Sequence, residues 1–360
     1  MRHGAAIIPS MKKLGPMFLV LATALQAAEP PKIAPLPIPI SNNAVAVSRG
    51  GKDAQVFSFM GIGPKKTWNA ITNRSFQLEL STGKWTEIRP VPGVAGRLAS
   101  SAAAIRDQVV LLGGYVVDGY GGETTVPDVN IYIPGEDRWY RGEDLPLAVD
   151  DSVVGVYRDR YVYVIGGWSK TDATRTVQVF DAEKNKWMES TPLPGTAVFG
   201  HAGAVLGDTI VYVDGAYKNP NGANPKYIAS NECWMGKINK ADITKIEWTR
   251  LPDHPGTARY RIAAGASEKD NKIYFSGGTD NPYNYNGIGY NGQPSEPSPV
   301  TFAFNLKTGK WETISENTPD PTMDHRGLLG TSRGLVIVGG MAKGQEVTPA
   351  VAIVKTSSAK

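Results

Sequence analysis

Val153-Val-Gly-Val-Tyr157, Arg158-Asp-Arg160, Tyr161-Val-Tyr-Val-Ile165, Gly166-Gly167 and, beyond a variable loop, Val177-Gln-Val-Phe180 and Trp187 form the passage that decides the fold. Two β-branched and aromatic runs of strand length flank a short polar turn, and the second ends in a glycine pair. A third strand and a tryptophan follow. The same order recurs along the chain. A second copy reads Ala102–Ile105, Arg106-Asp107, Val109–Leu112, Gly113-Gly114, Val129–Ile133 and Trp139. A fifth reads Ala263–Ala266, Asp270-Asn271, Ile273–Ser276, Gly277-Gly278, Thr301–Phe304 and Trp311. Copies one and four are degenerate, with Gly61-Ile62-Gly63 and Trp85 in one and Asp214-Gly215 and Trp248 in the other. The sixth keeps Leu335–Val338, Gly339-Gly340 and Val351–Val354 and has no tryptophan. Successive glycine pairs lie 48 to 63 residues apart.

A unit of about 50 residues with Gly-Gly and a downstream Trp resembles the kelch repeat, in which each copy is one four-stranded blade of a β-propeller. The resemblance covers the chain from residue 29 to 360 and implies an all-β, six-bladed propeller in a single domain. The glycines stand where the backbone turns sharply between crowded blades, and the tryptophans cover a neighbouring blade's face. The last copy lacks an outer strand. Pro35-Leu-Pro-Ile-Pro-Ile40 is the natural donor, closing the ring in the last blade at an edge where prolines are tolerated.

Composition agrees. With 40 Gly and 26 Pro among 360 residues the chain is too heavily punctuated for a helical bundle. One cysteine, Cys233, excludes an internal disulfide framework and any multi-cysteine metal site, and within Cys-Trp-Met it reads as a buried structural thiol. Met11-Lys-Lys, the apolar run Leu14–Leu25 and Gln26-Ala-Ala28 read as a secretory signal peptide over residues 1–28, too short for a membrane anchor. The first ten residues read as an extension upstream of a start at Met11. Cleavage after Ala27 or Ala28 removes Arg2, Lys12 and Lys13. The net charge then falls from +4 to +1, with 35 basic against 34 acidic residues. A nucleic-acid role loses its support, and no membrane insertion is expected after cleavage. The expected location is periplasmic or secreted.

In a propeller of this topology the loops after the second strands share a face with the starts of the inner strands. Those loops are the long ones: residues 115–125, 168–174, 216–230, 279–299 and 341–348. The opposite face has only tight turns, so a site belongs on the long-loop face. Candidate substrate-binding residues there are Trp168, Tyr217, Lys226, Tyr283 and Tyr285 on loops, with Arg97, Arg261 and Arg326 at inner-strand starts. Aromatic rings offer faces to sugar C–H groups, and arginine forks suit a carboxylate. Asp214 and His201 are the candidate acid/base residues; Asp150, Asp151 and His325 carry suitable groups too. His201 and His325 belong to non-adjacent blades, so no metal site and no cofactor are expected.

Among kelch proteins the chain resembles the periplasmic N-acetylneuraminate epimerases, or sialic acid mutarotases. The likeness lies in the leader, the Pro-rich closing strand, six blades and the long Asn/Tyr loop beginning at Asp280. It implies an isomerase that interconverts the anomers of a sugar acid by acid/base chemistry. That family places a proton-accepting Glu directly after the glycine of blade four and a substrate-binding Arg later in the loop. Here Gly215 is followed by Ala216, and Lys226 is the nearest cation to stand for the Arg. The alternative expectation is a non-catalytic kelch module that binds a carbohydrate or another exported protein.

Overall fold

Every expected copy folds as an antiparallel sheet whose strands follow one another outward from a common axis. The computed structural model describes Met1 and residues 31–49, 53–222 and 224–356. The expected leader, Met1 apart, lies outside the described residues, and residues 31–360 make up one folded unit. Blade one comprises Ala44–Val47, Gln55–Ile62, Ile71–Glu79 and Lys84–Ile88. Blade two comprises Ser101–Ile105, Gln108–Leu112, Val129–Ile133 and Arg138–Arg141. Blade three comprises Val153–Tyr157, Tyr161–Ile165, Val177–Asp181 and Lys186–Ser190. Blade four comprises Ala202–Leu206, Thr209–Val213, Cys233–Ile238 and Ile246–Arg250. Blade five comprises Ala263–Ser267, Lys272–Ser276, Thr301–Asn305 and Lys310–Ser315. Blade six has three strands, Leu329–Thr331, Gly334–Val338 and Val351–Val354. The protein is an all-β, six-bladed propeller.

Second strands such as Thr209–Val213 are buried along their whole length because neighbouring blades cover both faces. Outer strands such as Arg138–Arg141 are largely exposed, which explains their charge. Core clusters form between blades: Ala103, Val110 and Leu112 of blade two meet Val162, Val164 and Phe180 of blade three. The repeated tryptophans lock these seams. The indole N–H groups of Trp139, Trp187 and Trp311 donate to the carbonyls of Arg89, Glu143 and Pro252, at 2.9, 2.7 and 2.8 Å. Each acceptor lies on the connector that enters the tryptophan's own blade.

The glycine pair marks a left-handed step. At Gly113 and Gly114 φ is +54° and +94°, and a Cβ would sit 2.2 Å from the Val149 carbonyl or 2.1 Å from Ser100 Oγ. Two blades make the same step without two glycines. In blade four Asp214 (φ +61°) precedes Gly215, and in blade one Met60 (φ +56°) precedes Gly61. The degenerate first copy is therefore Met60-Gly61, and Gly63 lies outside the step.

The ring closes through residues 31–41, as an irregular prolyl stretch and not a ladder strand. Pro35, Pro37 and Pro39 remove alternate N–H donors, so the segment donates toward blade six through Leu36 and Ile40, to the carbonyls of Pro349 (2.8 Å) and Thr348 (3.4 Å), and accepts at the Ile40 carbonyl from the Gly340 amide (2.9 Å) and at the Pro31 carbonyl from Arg333. Their side chains are buried with Val56, Phe76 and Leu78 of blade one and Leu329, Val336 and Val338 of blade six. The Trp85 indole adds a bond to the Ala34 carbonyl at 3.0 Å.

Candidate functional site: the mouth of the long-loop face

Immediately before each inner strand, one residue pairs with the residue that follows the glycine step. The pairs are Ser41 with Ile62, Leu98 with Tyr115, Asp150 with Trp168, Phe199 with Ala216, Tyr260 with Thr279 and Met323 with Met341. The next residue in every blade is left-handed: Asn42, Ala99, Asp151, Gly200, Arg261 and Asp324, with φ between +51° and +74°. These six positions form a belt around the axis. The amides of Asp151, Gly200 and Arg261 donate to the carbonyls of Ala99, Asp151 and Gly200 at 3.0, 2.9 and 2.8 Å. Side chains complete the circuit. Asn42 donates to Asp324 (3.1 Å) and accepts from the Ala99 amide (2.5 Å), while Ser41 donates to Asp324 (2.5 Å).

Inside the belt the charges are paired and buried. Arg261 bonds Asp151 at 2.6 Å and Asp324 at 2.9 Å. Arg326 bonds Asp151 at 2.7 Å and the Asn42 amide oxygen at 2.9 Å. Burial opposes the charge on Asp151, but Arg261 and Arg326 outweigh it and hold this carboxyl below its usual range. Two carboxylates and two guanidiniums thus form a neutral plug between the mouth and the axial channel.

Above the plug lies a cavity of about 360 Å³. Its lining includes Glu123 and Thr125 from the blade-two hairpin, Trp168 and Lys170 from blade three, and Lys226 and Tyr227 from blade four. Asn284 and Tyr290 come from the blade-five loop, with Asp150, Phe199 and Arg261 at the floor. The Trp168 ring stands edge-on to Phe199 at 5.2 Å and to Tyr227 at 5.5 Å, and Tyr227 meets Tyr290 at 4.6 Å. The Lys226 ammonium sits 5.0 Å above the Tyr227 ring. Asp150 is buried and accepts a hydrogen bond from Thr125 at 2.7 Å. Burial, then the charge of adjacent Asp151, pushes its pKa well above the usual carboxylate range. Glu123, at the solvent-open rim, is raised chiefly by partial desolvation. The mouth therefore combines a carboxyl of raised pKa at its floor, a second such carboxyl at its rim, two lysines and three aromatic faces.

Of the residues expected from sequence, Trp168, Lys226 and Arg261 line this cavity, Arg261 with its fork already engaged. Arg326 faces the axial channel, equally engaged. Arg97 is buried between blades, donates to Asn130 at 2.9 Å, and is pulled down to about 10 by desolvation. Tyr283 is fully buried, edge-on to Tyr260 at 5.3 Å, and Tyr285 packs beside Ile62 and Leu98. Tyr217 is half-buried on its hairpin and is not part of the lining. His201 lines the axial channel, where burial lowers its pKa to about 4. Asp214 turns into the seam between blades four and five, bonded to His254 at 2.8 Å. These two do not reach the mouth. Ala216 is fully buried with Phe199, Tyr227, Tyr260 and Tyr283. Sequence reasoning missed Glu123 and Tyr290 and ranked Asp150 too low. Its signal is columnar: the residue ahead of each belt position is Ser41, Leu98, Phe199, Tyr260 or Met323, and Asp150 is the one carboxylate among them.

Residues 153–194, which are blade three and the connector behind it, match the kelch motif. The chain is 26% identical over 278 residues to Kelch-like protein terF of Aspergillus terreus, covering 74% of this chain and 55% of that one. It is 34% identical over 116 residues to Kelch-like protein 36 of Bos taurus, covering 31% of this chain and 18% of that one. To Kelch domain-containing protein 3 of Rattus norvegicus it is 29% identical over 212 residues, covering 54% and 51%. The chain thus spans about half, or less, of the length of these relatives. A solved structure described as "Structure of YjhT" matches it with a TM-score of 0.72 over 91% of this chain and 98% of that one, at 16% identity. That likeness is one of fold, and it agrees with the blades described above: the protein is a six-bladed β-propeller carrying a kelch motif.

Proposed function

We propose that the protein is an exported sugar mutarotase that takes a sugar acid of the sialic acid type into the cavity and interconverts its anomers. The observation that carries this reading is Asp150, a buried carboxyl with its pKa pushed upward at the floor of a cavity walled by Trp168, Tyr227 and Tyr290. Mutarotation needs a base for the anomeric hydroxyl proton and an acid for the ring oxygen. Glu123 takes the proton, Asp150 donates one to the ring oxygen, and the C–O bond of the ring breaks. Rotation of the carbonyl group and the reverse transfers close the other anomer and restore both carboxyls. Lys226, poised above the Tyr227 ring, and Lys170 offer their ammonium groups to the substrate carboxylate, because Arg261 and Arg326 are committed to Asp151 and Asp324.

Activity requires Glu123 ionised and Asp150 protonated. The rate rises with pH as Glu123 loses its proton and falls as pH passes the raised pKa of Asp150. NMR of freshly dissolved N-acetylneuraminate, followed to anomeric equilibrium, tests this. Asp150→Asn and Glu123→Gln are each expected to lower the rate on the order of 10²-fold or more, and Asp150→Asn to remove the alkaline limb. A wild-type rate equal to that of buffer rejects the reading.

A second reading, a non-catalytic sugar-binding platform, is favoured by Ala216 standing in an apolar cluster where the resembled family has its Glu. A ligand that raises the melting temperature and is recovered unchanged in anomer ratio kinetics decides for it.

A further inference from the structure

Asp214 replaces the first glycine of the step in blade four, and its carboxylate fills the seam toward blade five. Cys233, at the start of the third strand, and His254, on the connector to blade five, meet it there. The donor atoms of the three lie within 4.8 Å of one another, and all three residues are buried. Two contacts fix the His254 ring: it stacks on Phe302 at 4.3 Å, and its Nδ1 lies 2.9 Å from the Pro255 carbonyl. A carbonyl only accepts, so Nδ1 carries the hydrogen. Nε2 therefore faces Asp214, 2.9 and 2.8 Å from its two oxygens. In the neutral ring this is a lone pair facing a carboxylate, an arrangement that needs a proton or a metal ion between them.

We propose that this seam is a closed metal site for a borderline divalent ion, zinc by preference, held by His254 Nε2, Cys233 Sγ and both oxygens of Asp214. Three residues supply four donor atoms, and an N, S and O set suits Zn²⁺. The Nδ1–H bond to a backbone carbonyl is the usual outer-shell device that aims a ligating imidazole. Charge balances as well: a thiolate and a carboxylate neutralise a divalent ion, so the loaded site carries no net charge where solvent is excluded. Without the ion, burial keeps the Cys233 thiol protonated. Loading releases that proton, and any proton shared by Asp214 and His254, to solvent. The Arg259 backbone amide donates to Asp214 Oδ2 at 2.9 Å and leaves that oxygen a second lone pair, while both neighbouring guanidiniums make contacts elsewhere. The Arg250 guanidinium donates to the Cys233 carbonyl at 3.0 Å, and the Arg259 guanidinium lies over the Phe302 ring. The ion would tie two strand ends of blade four to the connector that enters blade five.

The experiment strips the full chain of metal, adds Co²⁺ or Zn²⁺, and reads absorption and melting temperature. The expected result is a tetrahedral Co²⁺ spectrum with a thiolate charge-transfer band at one equivalent, and a higher melting temperature with Zn²⁺. Cys233→Ser should abolish that band, and His254→Gln should weaken binding at least tenfold, with circular dichroism verifying that both fold. Asp150→Asn, in the mouth, should leave metal binding unchanged. A wild-type protein without the Co²⁺ band, and with a melting temperature indifferent to Zn²⁺, overturns the proposal and leaves a hydrogen-bonded His254–Asp214 pair. A charge-transfer band that persists in Cys233→Ser overturns it too.

Discussion

Arg261 and Arg326 are legible in the sequence as cations near the axis, and the natural expectation is that they grip a ligand. Their true partners are Asp151 and Asp324, and Asp151 lies 110 positions from Arg261 along the chain. No local pattern announces such a pairing; only ring closure brings the groups together. Being buried and paired, they bear on stability before they bear on binding. Arg261→Ala leaves Asp151 and Asp324 short of a partner in a site without solvent. It should cost about 3–5 kcal/mol in urea unfolding, and the Arg261/Arg326 double change to Ala more. An unchanged midpoint for the double variant would show that the plug is dispensable. Asp150 presents the opposite case: the sequence displays the carboxyl, while its raised pKa follows from burial and from the charge next to it.

Strands were the most legible elements, because runs such as Tyr161–Ile165 combine β-branched residues with a turn before and a glycine pair after. Elements that depart from the repeat were harder. Met60 occupies the left-handed step of blade one, so the eye is drawn to Gly63 when the step lies at Gly61. The closing segment was located correctly, yet its alternate prolines allow seam packing with scattered bonds toward blade six in place of a ladder. Its contribution therefore comes from burial: Leu36 and Ile40 are 3% and 1% exposed. Ile40→Ala should cost about 2–5 kcal/mol. Deleting residues 31–41 should exceed that and yield insoluble or non-cooperatively melting protein. Circular dichroism melts of the soluble fraction read both outcomes, and an undiminished melting temperature for the deletion would defeat this account of ring closure.

Across the whole molecule, the period of about 50 residues sufficed for the number of blades, since that follows from topology. What the period does not encode is which inward-facing groups share the mouth and which face the channel. His201 falls on the channel side, and its folded pKa near 4 against an ordinary 6.5 has a defined sign. The unfolded chain takes up the proton first as pH drops. Stability from neutral His201 is thus complete above pH 6.5 and declines toward pH 4 by about 1.4 kcal/mol per unit. His201→Asn removes that component, so the stability gap between wild type and variant should narrow as pH is lowered across this window. Denaturant unfolding at several pH values measures it, and a gap independent of pH would contradict the assignment. The belt of left-handed residues has a consequence of another kind. Six positions share one backbone geometry yet hold Asn, Ala, Asp, Gly, Arg and Asp, so the rim works like a dial on which Asn42, Asp151, Arg261 and Asp324 are geared together and Ala99 and Gly200 turn alone. A change at Ala99 or Gly200 alters the chemistry at the axis while the sheets stay as they are, whereas a change at one of the geared four calls for a matching change in its partner.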